Sequence, residues 1–421
     1  MRLAVFTNQF PSRVSTFFAR DVRGLLDQGI DVDVFPLYPL DASLWKYVPA
    51  ALNERVLPRD HVHHVSLRAC ARLGSGNQFA RLGRFALDAT AITTASLHGG
   101  PSRTAKSVYA ALKGWAWAQR CSGRYDHVLA YWGNYTATSA YVFHRLTDAR
   151  VPFSMIVHAR IDLYQTPVFL AQKMLYADNI FLVCEFNRDY LERKFPRVFP
   201  RLAAKIHIHH LGLDLREAHF SSAPRPPARV LAVGRFEELK GFHILLRAVD
   251  ALAKRGITAE VELVGGGDWE GSLRALTADL GLAKQVKFRG WLPPDQVLDA
   301  MRRATVLVHP SVTLDAMPTV IKEALAVGTP VIASDVAGIP EILAGGRCGV
   351  LVPPGNIGAL ADAIAALLAD PAGQRAYARA GREHAERVFD LERNAQRFAE
   401  QLRSTPRRNG ASGAAPPVLD P

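Results

Sequence analysis

The chain is poor in cysteine, with four in 421 residues (Cys70, Cys121, Cys184 and Cys348). They lie far apart and form no CxxC pair to suggest a zinc site or a redox couple. Long apolar runs are missing too: none reaches the ~20 residues that span a bilayer. The stretch Leu3 to Phe6 stops at Thr7, Asn8 and Gln9, too short for the apolar region of a signal peptide. A reducing cytoplasm is the expected compartment. What is present is ordinary for a soluble chain, 49% hydrophobic and 21% charged, with neither the low apolar content of disorder nor the composition of a membrane protein. At about 150 residues per domain the length suggests two or three, of which two is the simpler fit.

The first half is short of acid. Residues 1–215 hold 26 Lys and Arg against 16 Asp and Glu, or +10, and the remainder holds 25 against 23, or +2, which together give the net +12. Such a field attracts nucleic acid, anionic lipid or phosphorylated ligands, and charge alone does not choose among them.

Apolar runs alternate with segments at helical spacing. Leu3 to Phe6, Thr16 to Leu26 and Val32 to Leu37 read as a βαβ unit. Val128 to Ala130, Phe153 to Val157, Ile180 to Val183 and Ile206 to Ile208 continue the series. Ser221-Ser222-Ala223-Pro224-Arg225-Pro226-Pro227 is the expected linker, because three prolines in four residues continue neither helix nor central strand. A second series follows: Val230 to Val233, Val261 to Val264, Val286 to Phe288, Val306 to Val308 and Val331 to Ala333. Continuously apolar runs are the mark of parallel strands covered on both faces. A helix capped by Asn356 ends at Asp370-Pro371, and Asp390 to Leu402 is read as the last helix. The expected domains are 1–220, completed by a C-terminal helix at 389–403, and 229–385, with 404–421 a disordered tail.

The chemistry is densest from Val306 to Leu343. A strand ends at His309, a loop follows, Pro318 opens a helix and Gly328 closes it. A helix N-terminus at the end of a parallel sheet is an anion site. Glu323, in the helix, can take a vicinal diol such as that of a ribose, and Asp315, nearer the phosphate end, can orient sugar hydroxyls. Taken singly, Glu323 is equally a solvated helix residue and Asp315 a turn former. Upstream, Arg235 and Lys240 in Gly234-Arg235-Phe236-Glu237-Glu238-Leu239-Lys240-Gly241 can neutralise a diphosphate. Val264-Gly265-Gly266-Gly267-Asp268 admits close backbone approach, but Glu270 takes the third glycine position of GxGxxG, which argues against a dinucleotide oxidoreductase.

These motifs together resemble the retaining glycosyltransferases of family 4. Pro310-Ser311 precedes two acidic residues with seven residues between them, Asp315 standing where that family has glutamate, and Glu323-Ala324-Leu325-Ala326-Val327-Gly328-Thr329-Pro330-Val331 reproduces its EAxAxGxPV stretch. The resemblance implies an α/β chain of the GT-B fold, two Rossmann-like doubly wound domains facing each other across a cleft, with a UDP- or GDP-sugar in the second. It assigns the diphosphate to Arg235 and Lys240, the ribose to Glu323 and the nucleobase to the loop at Arg289-Gly290-Trp291, with Gly234, Gly266, Pro318 and Thr319 completing the donor site. In the first domain Phe10-Pro11 with Thr16-Phe17 is similar to the FPxxSETF opening of bacterial exopolysaccharide and colanic-acid-type transferases. His158-Ala159-Arg160-Ile161-Asp162-Leu163-Tyr164 resembles their H-A-x-D-I-Y segment with one residue inserted, and puts His158 near the transferred sugar. The acceptor it implies is a glycan or a polyprenyl-linked lipid.

Neither Asp31-Val32-Asp33, at a strand start, nor His207, His209 and His210, divided between two faces, reads as a metal site, and no metal or other cofactor is expected. Between Ser66 and Arg124 nine basic residues (Arg68, Arg72, Arg81, Arg84, Arg103, Lys106, Lys113, Arg120, Arg124) face one acid, Asp88. On a helix from Thr104 to Arg120, Lys106, Lys113 and Arg120 make a stripe beside Trp117, with Trp115 on another face. That suits an anionic membrane surface, and equally a solvated basic face with both tryptophans in the core. The alternatives to a transferase are a nucleotide-sugar epimerase, a non-catalytic nucleotide-sugar sensor and a nucleic-acid-binding protein. The last lacks an RRM, KH or helix-turn-helix context.

Overall fold

The computed structural model describes residues 1–11, 16–41, 44, 57–66, 78–121, 125–165, 168–221, 223 and 225–408. It divides into two compact units, Met1–Gly212 with the chain from Leu391, and Leu213–Asp390. The break comes ahead of the proline-rich segment in which the sequence places the linker. The guanidinium of Arg225, in that segment, donates to the carbonyls of Met301, Arg302, Ala304 and Gly328 at 2.6 to 3.1 Å. Those bonds tie the segment into the second unit, where Leu213 and Asp390 pair as a parallel bridge.

In the first unit six parallel strands, β1 (Arg2–Thr7), β2 (Asp31–Pro36), β3 (His127–Ala130), β4 (Phe153–Val157), β5 (Asn179–Leu182) and β6 (Ile206–Ile208), lie in the order β2-β1-β3-β4-β5-β6. Its last helix, Leu391–Ser404, packs so closely on Thr16–Asp27 that a Cβ at Gly24 would lie 2.6 Å from that of Ala395. Past that helix, Arg408 reaches the Asp178 carboxylate at 2.9 Å and Thr405 accepts from Asn179 at 2.7 Å. The chain is thus anchored as far as Arg408, into the segment read as a disordered tail, whose remainder lies outside the described residues.

The second unit has β7 (Arg229–Val233), β8 (Glu260–Val264), β9 (Val286–Gly290), β10 (Val306–His309), β11 (Val331–Ser334) and β12 (Val350–Val352) in the order β12-β11-β10-β7-β8-β9. Renumbered from one, this is the 3-2-1-4-5-6 order of a doubly wound nucleotide-binding sheet. Val230 and Ala232 of β7 enter one apolar core and Leu231 and Val233 the other, so both faces are covered and the strand reads as unbroken apolar sequence. The helix after β7, Phe242–Lys254, joins the first core, and the helix after β10, Thr319–Val327, joins the second. β7 and β10 are neighbours whose chains therefore leave in opposite directions. That is the switch point of the sheet, where the carboxyl ends of the strands leave room for a ligand.

Three sequence expectations need correcting. Lys113 is buried, donates to Val65 O at 2.6 Å and lies 4.9 Å from the Trp117 ring. Trp117, also buried, donates to His63 O at 2.9 Å, and Trp115 is buried against Phe85. The helix Pro101–Arg120 thus buries Lys113, the middle of the basic stripe, with both tryptophans, while Lys106 and Arg120 stay exposed. Arg68, Arg72 and Arg124 lie outside the described residues. Pro318 is not the first helical residue but the cap before it, in extended conformation, with Thr319 first in the helix. Finally, Pro371 starts the helix Pro371–Val388, whose cap Asp370 accepts from Gly373 N–H, rather than only ending the one before.

Candidate active site

The loops that leave β7, β8 and β10 are laced together at the carboxyl edge of the second sheet. Phe236, fully buried, donates its N–H to Gly266 O and accepts from Trp269 N–H, at 3.0 and 3.1 Å. Gly265 has φ 134°, donates to Gly290 O at 2.9 Å, and would bring a Cβ within 1.9 Å of Gly234 O. Any side chain there would push the loops apart. Gly241, at φ 68°, would place a Cβ 1.8 Å from Pro310 O. Only glycine lets the β7 loop meet the β10 loop, which Val312 N–H seals by donating to Leu239 O at 2.9 Å.

That contact brings Lys240 to Asp315, 75 residues away in sequence. The Lys240 Nζ donates to Asp315 Oδ2 at 2.5 Å, and neither side chain is more than 16% exposed. His309 Nε2 lies 2.8 Å from the same oxygen and Ser311 Oγ donates to it at 2.9 Å. Burial pushes the Asp315 carboxyl up, but the ammonium of Lys240 and the His309 hydrogen bond outweigh it and hold the group well below the usual carboxylate range. Burial pushes His309 down against the opposing pull of Asp315, so its imidazole is neutral at pH 7. The buried cluster is therefore a single ammonium and carboxylate steadied by two neutral donors.

Arg235 is 53% exposed and pairs with Glu237 at 3.0 Å. Thr319–Val327 turns its first-turn N–H groups toward the same edge, with Glu323 half-buried on its second turn and Gly328 ending it in left-handed conformation, as the sequence implies. Near the end of β9, Arg289 lies 3.8 Å from Glu262, and Trp291, 61% exposed, covers Gly266 closely enough that a Cβ there would meet its indole nitrogen at 2.8 Å. Gly234, Arg235, Lys240, Gly266, Gly290, Asp315, Pro318 and Thr319 thus all belong to the loops and helix start at one sheet edge.

His158 belongs to the first unit, directly after β4. Its ring is buried, lies 4.3 Å from that of Trp132, and its Nε2 is 3.0 Å from Tyr131 O. Burial lowers it to about 4. The residue inserted after it is absorbed in a π-helical turn over Arg160–Tyr164, with Tyr164 N–H donating to Ala159 O. The turn brings Asp162 back beneath His158, where its Oδ2 accepts the N–H groups of His158 and Gly133 at 3.0 and 2.8 Å. Burial raises Asp162 to about 7 and lowers the nearby Lys173 to about 7. Lys173 Nζ donates to Gly133 O and Asn134 O, each at 2.8 Å. The parts played by His309, Asp162 and Lys173 are not evident in the sequence. The spacing of His309, Ser311 and Asp315 is the one local signal, and it becomes legible only once a loop folds back on its own strand.

Residues 216–384, within the second unit, match the family model of the glycosyl transferases group 1. The chain is 27% identical over 390 residues to the amylovoran biosynthesis glycosyltransferase AmsK of Erwinia amylovora, covering 87% of this chain and 90% of that one. It is 37% identical over 161 residues to the phosphatidyl-myo-inositol mannosyltransferase of Mycobacterium leprae, but that match spans only 38% of this chain and 42% of the relative. The crystal structure of HepE from Anabaena in complex with UDP is similar at a TM-score of 0.65 and 18% identity, covering 96% of this chain and 99% of that one. The fold is the GT-B fold of two Rossmann-like domains, and the chain is a glycosyltransferase with its group 1 domain in the second unit.

Proposed function

We propose that the chain moves a hexose-type sugar, with retention, from a UDP- or GDP-sugar to a glycan or lipid-linked acceptor in the synthesis of a bacterial surface polysaccharide. The similarity to AmsK, an amylovoran biosynthesis enzyme, supports the pathway class, and the UDP complex of HepE supports a nucleoside diphosphate donor. The observation that carries the reading is the meeting of Lys240, Asp315 and a helix N-terminus at the switch point of a doubly wound sheet. A departing diphosphate needs fixed positive charge there, from Arg235, Lys240 and the helix N-terminus that Pro318 caps and Thr319 begins. Glu323 takes the ribose, Asp315, nearer the phosphate end, orients sugar hydroxyls, and Gly234, Gly266, Arg289 and Gly290 line the donor.

In the front-face route the bond from the sugar C1 to the phosphate oxygen breaks as the bond to the acceptor oxygen forms on the same side. The acceptor proton passes to the departing phosphate oxygen. His158, neutral, lies in the acceptor-binding unit beside the transferred sugar, and protein groups rather than a metal stabilise the leaving group. Arg235→Ala and Lys240→Ala are each expected to cut turnover by about a hundred-fold or more, the scale of losing one charge-stabilising group. A thermal-shift screen of nucleotides and nucleotide sugars identifies the donor first. Full turnover in both variants would refute the assignment.

No helix of the described residues is long and apolar enough to cross a membrane. Attachment at the surface of the inner membrane remains part of this proposal, with a changed surface. Leu82, Leu87 and Leu97 of the helix Gln78–Leu97 are 46%, 71% and 61% exposed, and Lys106 and Arg120 supply the cations.

A further inference from the structure

We infer that His309 and Ser311 are positioning residues for the donor diphosphate: they hold Asp315 still, so that Asp315 holds Lys240. The inference rests on the donor-binding reading above and adds two residues to it.

Lys240 hangs on a flexible four-carbon stem from a loop, and an ammonium on such a stem loses side-chain entropy when fixed. A carboxylate fixes it cheaply only if the carboxylate is itself fixed. Asp315 stands in a loop between β10 and the Thr319–Val327 helix, and nothing in a loop of that kind holds a side chain to one rotamer. His309 and Ser311 do so: both are buried, both reach Oδ2 of Asp315, and Ser311 Oγ lies 3.1 Å from His309 Nε2. His309 is the last residue of β10, so the anchor is a sheet residue and the rigidity of the sheet passes through Asp315 to the lysine. The imidazole must carry its proton on Nε2 to donate to the carboxylate. With one N–H of Lys240 given to Asp315, two remain for phosphate oxygens.

Burying a charge pair and two further polar groups costs desolvation, and an apolar cluster of the same volume is often at least as stable. The cluster is therefore explained poorly by stability. Its position at the switch point, on the lysine of the Gly234–Gly241 loop, gives it a use in binding.

The test is calorimetry on the full chain with UDP and UMP, or with GDP and GMP if the wild type prefers guanine. His309→Ala is expected to weaken the diphosphate about ten-fold and Ser311→Ala several-fold, the cost of losing a hydrogen bond to a charged group. The monophosphate, lacking the second phosphate that this inference gives to Lys240, should bind as in the wild type. His309→Gln, which keeps a donor, should recover most of the loss. In a Lys240→Ala background His309→Ala should add nothing. The inference is overturned if His309→Ala binds diphosphate as tightly as wild type, if mono- and diphosphate weaken equally, if His309→Gln is no better than His309→Ala, or if the Lys240 and His309 losses simply add. Failure of the donor-binding reading looks different: the wild type binds no nucleoside diphosphate, or Lys240→Ala binds it undiminished.

Discussion

Asp162 accepts the main-chain N–H of His158 at 3.0 Å, four residues back in sequence. The same oxygen takes Gly133 N–H at 2.8 Å. Gly133 follows β3 and His158 follows β4, so one carboxylate fastens two adjacent strand ends. Asp162→Ala leaves two buried N–H groups unpaired and is expected to cost about 2–4 kcal/mol in chemical denaturation. Transfer should fall as His158 loosens, while nucleotide affinity, a property of the second unit, stays near wild type. Asp162→Asn keeps an oxygen acceptor and should recover most of the stability. Equal stability in Asp162→Ala and wild type would contradict this account.

Acid should unfold the first unit early. Burial lowers His158 and His64 to about 4 and His127 and His144 to about 3. A histidine with a depressed folded pKa contributes stability that is present above its unfolded value, about 6.5, and lost as pH falls through the folded one. Asp33 acts in the same sense at lower pH: its burial, which raises it, is outweighed by His63, Tyr125 and Arg2, which bring it to about 2. Asp162, raised to about 7, works the other way, giving up stability as pH climbs from about 4 to 7. The four histidines outnumber it. Unfolding free energy should therefore fall steeply between pH 6.5 and 4, by roughly 1.4 kcal/mol per pH unit for each histidine. Urea titrations at stepped pH measure this, and a flat profile over that interval would count against it.

Gly241→Ala tests the junction of the β7 and β10 loops. The new Cβ meets both a left-handed backbone and the Pro310 carbonyl, a combination expected to cost about 2 kcal/mol or more. Because Lys240 is its neighbour, diphosphate affinity should drop together with stability. Gly256→Ala, also at positive φ but with open space around it, should lower stability modestly and leave nucleotide binding intact. Similar behaviour of the two variants would remove the argument that Gly241 is needed for contact.

Membrane association has its own assay. Co-sedimentation with anionic vesicles should occur at low salt and weaken on Leu87→Gln, Lys106→Glu or Arg120→Glu. Lys113→Glu should instead unfold the helix packing, because its ammonium is buried against Val65 O. Binding that survives all three surface changes would exclude this face.

How far the sequence revealed these features depends on the range of the interaction behind each. β7 and β10 are covered on both faces, and Val230 to Val233 and Val306 to Val308 announce themselves as apolar runs. β12 leaves no such signal, because Val350 and Leu351 lie half-exposed at a sheet edge and the strand is three residues long. Pro371 forbids continuation of the helix before it, and Asp370 makes the same dipeptide the start of the next. The stripe of Lys106, Lys113 and Arg120 was a true helical periodicity, but burial of Lys113 is decided by Val65 and by the close packing of Gly114 on Ser139 and Val142. Periodicity along one helix carries no such information. In the donor loops the residue types and spacing were legible, whereas the pairing of Lys240 with Asp315 depends on two glycine contacts between separate loops.

The most direct test of the central claim is a calorimetric titration of the full chain with UDP, GDP, ADP and TDP, repeated on Lys240→Ala. One of the four should bind saturably at a single site, and Lys240→Ala should weaken it about ten-fold or more, as expected for loss of a charged phosphate contact. No heat with any nucleotide, or binding that ignores Lys240, would contradict a donor site at this sheet edge.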